Sequence, residues 1–125
     1  MILLIYYEIV IKEMFERVIN FKLKKGKNME IIITEAIKNK QLLKFTYNNK
    51  VRVVEPYTFG ESTKGNDTLS AYQVDGGSNS SKDLGWRQFI IDDIEHLNLL
   101  DDKFEILREG YNPNDSRMSH IYITV

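Results

Sequence analysis

The fold is decided by residues 42–59, which read LLKFTYNNKVRVVEPYTF. Apolar and polar residues alternate over 43–47, and this period of two is typical of a β-strand with one buried face. Asn48-Asn49-Lys50 is typical of a tight turn, and a second strand is predicted over 51–59. Within it, Pro56 indicates a sheet edge or a bulge, because proline has no N–H to donate to a neighbouring strand. This stretch therefore predicts two strands joined by a tight turn.

One helix before this pair of strands and several short strands after it complete the pattern. Four apolar residues share one face of a helix that ends near Lys40, namely Ile32, Ile33, Ala36 and Ile37. A turn at 62–67 and a loop at 76–81 separate the later strands, which are predicted at Thr68–Asp75, Trp86–Ile91, Ile94–Leu100 and Ile121–Val125. One helix followed by five or six short strands predicts a mainly β protein, a small barrel with the helix packed on one end.

The composition is that of one globular domain of 125 residues. Hydrophobic residues make up 42% and charged residues 28% of the chain, which excludes a disordered protein. Lysine and arginine number 17 against 18 aspartate and glutamate, so a generally basic nucleic-acid-binding protein is excluded as well. The chain has no cysteine, which excludes disulfides and thiolate metal sites and fits a reducing, cytoplasmic location.

The first 28 residues differ from the rest and are interpreted as an N-terminal extension to a domain at 29–125. Residues 1–10 are almost all apolar, but this run is shorter than the ~20 residues that span a bilayer, and it lacks the basic start of a signal peptide. We therefore expect no membrane partner. Residues 1–29 carry 6 basic and 3 acidic side chains, a net of +3, whereas residues 30–125 carry 11 and 15, a net of -4.

Two interpretations of the extension stay open. In the first, it is an amphipathic helix followed by a lysine-rich linker, because its apolar residues fall near helical spacing at Ile9, Val10, Met14, Val18 and Phe21. In the second, Met29 is the natural start and residues 1–28 are a translated leader. The codons of Lys24-Lys25-Gly26 can be purine-rich, as in a bacterial ribosome-binding site before a start codon. Peptide mapping of the native N-terminus distinguishes the two.

Several stretches of residues 30–125 together resemble the WYL domain, a bacterial regulatory module. The matching pieces, in the order and spacing of the family, are Ala36-Ile37, Leu43–Tyr47, Arg52–Tyr57, Leu69–Tyr72 and Trp86–Ile94, followed by Phe104 and the tail Gly110–Asp115. The resemblance implies a small Sm-like β-barrel and a non-catalytic, ligand-sensing role in a bacterial regulatory system. It also implies a positively charged site that receives a nucleotide or single-stranded nucleic acid.

The chain departs from the family pattern at several positions. The Trp-Tyr-Leu that names the family falls on Asp67-Thr68-Leu69, where only the leucine is kept. Of three arginines in the family's ligand site, Arg87 is kept, whereas Ile90 and Asp93 stand at the other two positions. The chain has no room for the winged helix-turn-helix that often precedes the domain, so we do not expect a self-sufficient DNA-binding transcription factor.

The candidate ligand-binding residues combine two cations with three rings. Arg87 and Arg52 are predicted to hold anionic groups, because a guanidinium presents a planar fork of N–H donors to a phosphate or carboxylate. Tyr72, Tyr57 and Tyr47 are predicted to contact a base or another ring by stacking, as exposed aromatic residues do in small single-strand-binding barrels.

Each of these residues also has a structural interpretation. Arg87 would form an ion pair with Glu55, because a charged residue on an apolar face needs a partner. The tyrosines, with Trp86, would be core residues. Three further cations that could line a groove, Lys44, Lys50 and Lys64, would be ordinary surface charges.

Catalysis has little support in the sequence. The two histidines, His96 and His120, are 24 positions apart, and the aspartates at 92, 93, 101 and 102 match no calcium-binding loop. The chain also lacks a nucleophile motif. We therefore expect no enzyme, no metal and no cofactor.

A second functional hypothesis is a protein-interaction or dimerisation module. The apolar strand predicted at 121–125 could pair by edge addition with another copy of the chain or with a separate DNA-binding regulator.

Overall fold

A computed structural model describes residues 2–78 and 84–125, which form one long helix followed by six strands. The elements in chain order are α1 (Ile2–Asn39), β1 (Gln41–Tyr47), β2 (Lys50–Ser62), β3 (Asp67–Gly76), β4 (Gly85–Ile90), β5 (Glu95–Lys103) and β6 (Met118–Thr124). A single 3₁₀ turn, Ile91–Asp93, separates β4 from β5. The predicted strands are confirmed, with boundaries within three residues. The predicted loop at 76–81 lies in part outside the described residues.

The strands form one antiparallel sheet in the order β4-β3-β2-β1-β5. Because β2 is 13 residues long, its first half pairs with β1, and its second half, Thr58–Ser62, pairs with β6. β4 and β5 lie at the two ends of this path, and the strand pairs within the described ranges do not close it. The mainly β class with one helix is confirmed, whereas the predicted Sm-like barrel is not confirmed.

Pro56 lies at an irregularity of β2, as its missing N–H predicted. The register of β2 against β3 shifts between Pro56 and Thr58, and also between Val53 and Val54. In a regular strand, residues two apart share a face. The shift instead places Phe59 in the cluster that packs on α1, whereas Tyr57 packs in a different aromatic cluster.

The core lies between one face of the sheet, here called the inner face, and the end of α1. The predicted helix face is confirmed, since Ile33, Ala36 and Ile37 are buried, with Ile32 packed at the edge. The strand residues of the same apolar cluster include Leu43, Phe45, Val54, Leu69, Ala71 and Phe89. The inner face is therefore apolar at most of its positions.

The first two-thirds of α1 extends away from this core. None of residues 2–28 is buried, and the first buried residue is Met29. There is no separate linker, because the lysines at 22–27 lie within the helix, which continues into the domain without a break. Within the described residues, no helix is both long enough and apolar enough to cross a membrane. Where translation starts stays a prediction.

Candidate functional site

Two arginines lie on the inner, apolar face of the sheet. Arg52 of β2 is opposite Phe45 of β1, and Arg87 of β4 is opposite Ala71 of β3. Directly opposite residues of an antiparallel pair have their side chains on the same face, so both arginines share the face that carries the core. Gln73, two residues beyond Ala71 in β3, lies on this face as well.

Arg52 is almost completely buried, at 3% exposure. Its Nη1 donates to Oε1 of Gln73 at 3.3 Å, and its Nη2 donates to the backbone carbonyl of Tyr47 at 3.0 Å. Gln73 is held for this role because its own amide donates to the carbonyl of Gly77 at 3.0 Å. The Arg52 guanidinium also lies beside two rings, with its Cζ 5.7 Å from the centre of Tyr47 and 5.9 Å from that of Phe89. These contacts fix its position and are all with neutral groups.

Three donor nitrogens of the two arginines have no hydrogen-bond acceptor among the residues that the structure describes. They are buried at Nε of Arg52 and at Nε and one Nη of Arg87. Among residues 2–78 and 84–125, neither arginine forms an ion pair with a carboxylate. Burial, together with the nearby charge of Arg87, lowers the pKa of Arg52 below its usual value. Two like charges therefore share an apolar face without an acidic partner in the described structure.

This arrangement is energetically unfavourable for the folded chain. A buried donor without an acceptor costs about 1–3 kcal/mol, and more when the group is charged. A bound anion would supply acceptors and would neutralise part of the repulsion between the two guanidinium groups. The pair is therefore a candidate anion site that bridges β2 and β4.

Glu55 pairs with Arg108 and not with Arg87, which corrects the predicted structural ion pair. Nε and Nη2 of Arg108 donate to the two carboxylate oxygens of Glu55, each at 3.0 Å. The reason is the alternation of the strands: Glu55 is opposite Tyr72, and Tyr72 is opposite Trp86. Arg87 follows Trp86 directly, so its side chain lies on the other face of the sheet.

Tyr57 lies on the same side as Glu55, inside an aromatic cluster. Its hydroxyl donates to Glu55 Oε1 at 3.1 Å and accepts from the backbone N–H of Arg108 at 2.9 Å. The ring packs against Trp86, with centroids 4.7 Å apart, and against Phe104, at 5.2 Å. Burial raises the pKa of Tyr57 to about 12. Tyr57 is fully buried, so its ring is unavailable for stacking on a ligand in this structure.

Tyr72 is covered by Arg108, whose Cζ lies 4.6 Å from the centre of the ring. The neighbouring Trp86 donates from its indole N–H to the carbonyl of Glu109 at 2.8 Å. The segment 104–111 therefore occupies this aromatic surface. Of the five predicted ligand-binding residues, the structure brings together Arg52, Arg87 and Tyr47, and it places Tyr57 and Tyr72 on the opposite face.

Tyr47 connects the arginine pair to a cavity of about 320 Å³. Its hydroxyl accepts from the backbone N–H of Ile90 at 3.2 Å, while its carbonyl binds Arg52. Most of the residues that line the cavity have polar side chains, and they include two cations, Lys64 and Arg117, the first of which was among the predicted groove cations. A ligand in this cavity would lie against the ring of Tyr47.

Two residues that shape these surfaces were missed by the sequence interpretation. The sequence could have indicated Gln73, because this polar residue continues the alternation of buried positions that begins with Leu69 and Ala71 in β3. No pattern in the sequence indicated Arg108, since it lies in an aperiodic segment 53 positions from its partner Glu55.

Comparisons of the chain with models of protein families, with curated proteins and with solved structures find no match. The resemblance to the WYL domain therefore stays a prediction based on the residues quoted above. In the part of the chain that the structure describes, no three histidine, aspartate or glutamate side chains group closely enough to hold a metal ion.

Proposed function

We propose that the protein is a non-catalytic, ligand-sensing domain whose Arg52 and Arg87 bind an anionic group of the ligand. One observation carries this proposal. Within the described residues, the two guanidinium groups share an apolar face and keep three buried N–H donors unpaired. An unpaired donor of this kind is rare in folded proteins and calls for a partner.

A phosphate is the anion that fits this donor set best. The planar guanidinium fork binds phosphate oxygens in pairs, and two arginines share a group that carries more than one negative charge. The Tyr47 ring beside Arg52 then offers a surface on which a base could stack. A nucleotide or single-stranded nucleic acid supplies both groups. Because residues 30–125 carry a net charge of -4, such binding is local and sensitive to salt.

The resemblance of residues 30–125 to the WYL domain supports the same function. A relationship to that family, with its Sm-like barrel, forms part of this proposal, as does a cytoplasmic role in a bacterial regulatory system.

Titration of the full-length protein with fluorescein-labelled oligothymidylate of about 12 nucleotides, and competition by ATP, tests the proposal. We expect saturable binding that weakens as salt is raised. Replacing Arg87 by Ala removes charge-assisted hydrogen bonds, so the affinity falls about tenfold or more.

The matched control is Lys103→Ala, which removes one positive charge from an exposed position at the end of β5. It should bind as the unmodified protein does, and the circular dichroism of both variants should be unchanged. Absence of binding at low salt, or equal loss in both variants, would refute the arginine site. If Arg87→Ala does not fold, Arg87→Lys takes its place in the binding measurement, because lysine keeps the charge but loses the bidentate fork.

A second candidate function is that of a protein-interaction module. It is favoured by α1, which exposes a continuous series of large apolar side chains before Met29. The predicted edge strand is a weaker basis, although β6 has only β2 as a neighbour in the described sheet.

A further inference from the structure

The free part of α1, residues 2–28, carries more apolar surface than a monomer normally exposes. Fourteen large apolar side chains between Ile2 and Leu23 are each at least 40% exposed. Together they present on the order of 1,000 Å² of apolar surface, against roughly 300–600 Å² for the largest patch of a typical monomer. An exposed apolar surface of this size marks an interaction site that a binding partner covers.

The apolar residues follow a heptad repeat with one clean seam. When Leu4 is position a, every a and d residue from Leu4 to Phe21 is apolar, and the seam consists of Leu4, Tyr7, Ile11, Met14, Val18 and Phe21. Each of the other five heptad positions carries at least one charged residue, at Glu8, Lys12, Glu13, Glu16 and Arg17. This spacing of 3.5 residues is the pattern of a helix that packs against another helix.

We propose that a second copy of this chain covers the seam and forms an antiparallel helix pair. The seam maps onto itself when the helix is reversed about the point between Lys12 and Glu13. Leu4 then faces Phe21 of the second copy, Tyr7 faces Val18, and Ile11 faces Met14. A partner with this pattern is present in every solution of the protein, because it is the chain itself.

Charge favours the antiparallel orientation. In a parallel pair, a residue at position g faces the residue at position e of the next heptad on the other helix. Arg17 of each copy would then lie opposite Lys22 of the other copy, which places like charges together at two points. In the antiparallel register, e residues face e and g residues face g. Glu8 then lies near Phe15 of the second copy, and Arg17 lies near its Val10, so no like charges meet.

A cavity at the base of the helix supports the same orientation. It has a volume of about 380 Å³ and is lined by Phe21, Met29, Ile94 and Leu97, among others. In the antiparallel pair, the first residues of the second copy reach the level of residues 21–23, at the edge of this cavity. The seam and its flanks can supply the ~800 Å² per partner that a stable interface buries.

Sedimentation equilibrium of the full-length protein tests the pairing. We expect twice the chain mass of 14.7 kDa, with Ile11→Lys reducing it to one chain. Ile9→Lys is the matched control, because Ile9 is a similarly exposed isoleucine at heptad position f, on the side of the helix away from the seam. This variant should stay dimeric.

Three outcomes would overturn the proposal: a monomeric unmodified protein, a dimer that survives Ile11→Lys, or equal dissociation by both variants. Binding of the monomer to phosphatidylcholine vesicles would assign the helix to a lipid surface instead. The inference makes the second candidate function specific and does not depend on the anion site. Arg87→Ala is expected to stay dimeric, so failures of the two proposals are distinguishable.

Spin labels test the orientation, because the chain has no cysteine of its own. Single cysteines replace Lys12 or Asn20, two exposed positions outside the seam. In the antiparallel pair, labels at position 12 lie at nearly the same height, whereas labels at position 20 are about 22 Å apart along the helix axis. A parallel pair would give nearly equal distances at both positions and would contradict the proposed orientation.

Discussion

Tyr57 shows how a single buried hydroxyl links two parts of the molecule. It donates to Glu55 on its own strand and accepts from the backbone of Arg108, so it fastens the segment 104–111 to the sheet. The same segment also binds Glu55 through the Arg108 side chain. Removing the Tyr57 hydroxyl leaves the carboxylate and an N–H each short of one partner.

Tyr57→Phe is expected to lower the free energy of unfolding by about 1–2 kcal/mol at pH 8. Because burial raises the folded-state pKa of Tyr57 to about 12, above its value of about 10 in the unfolded chain, its contribution is complete below pH ~10. That contribution is lost as the pH rises from ~10 to ~12. The stability difference between the unmodified protein and the variant should therefore narrow over this range.

Urea unfolding followed by far-UV circular dichroism, repeated across this pH range, checks the prediction. Tyr6→Phe serves as the control, because Tyr6 is exposed on α1 and makes no contact with the sheet core. A difference that stays constant up to pH ~12 would contradict a buried, neutral hydroxyl at position 57.

At the scale of elements, β2 depends on a close approach to β6 at Gly60. A Cβ added there would clash with the backbone carbonyl oxygen of His120. Gly60→Ala is therefore expected to push β6 away and to cost about 2–3 kcal/mol. Gly26→Ala is the opposite case: nothing lies within 4 Å, and replacing a helical glycine stabilises the helix by up to ~1 kcal/mol.

Equilibrium urea unfolding of both variants, with helicity measured at 222 nm, checks the expected loss of stability in Gly60→Ala and the expected gain in Gly26→Ala. A Gly60→Ala protein as stable as its parent would show that β2 and β6 do not approach closely in solution. A loss of helicity in Gly26→Ala would mean that α1 needs a flexible point at residue 26.

The strands could be predicted from sequence because alternation and turn residues are local signals, as in residues 42–59. Pro56 also marked its bulge, through the N–H that proline lacks. The faces of later residues could not be predicted, since the register shift between Pro56 and Thr58 reverses the alternation of β2, and Tyr57 and Phe59 thus separate. The partner of Glu55 depended on Arg108, which lies in a segment without periodicity. Strand pairing across long separations, such as β2 with β6, has no local signal either.

At the scale of the whole molecule, the chain divides into a sheet domain and a helix that leaves it. The charge follows this division, with a net of +3 over residues 1–29 and -4 over residues 30–125. The proposed anion site lies inside the sheet domain, and the proposed pairing surface lies on the helix. A ligand and a second copy can therefore bind without competing for the same side chains.

This division also predicts two separate responses to heat. In proteins most of the stability of a helix comes from packing of its apolar face, so the free part of α1 should depend on pairing for its stability. Pairing makes the melting midpoint of that part rise with protein concentration. The sheet domain carries its own core, so its midpoint should stay nearly constant. The single tryptophan, Trp86, lies in the sheet domain and reports on it alone.

Thermal unfolding over a wide range of protein concentrations, recorded at 222 nm and by Trp86 fluorescence, separates these responses. We expect the helical signal to shift to higher temperature as concentration rises, while the fluorescence midpoint stays fixed. Ile11→Lys should abolish the shift, and Ile9→Lys should retain it. A helical midpoint independent of concentration would show that α1 is stable unpaired. If both signals shifted together, the contact between copies would have to involve the sheet domain, and the seam would not be its principal surface.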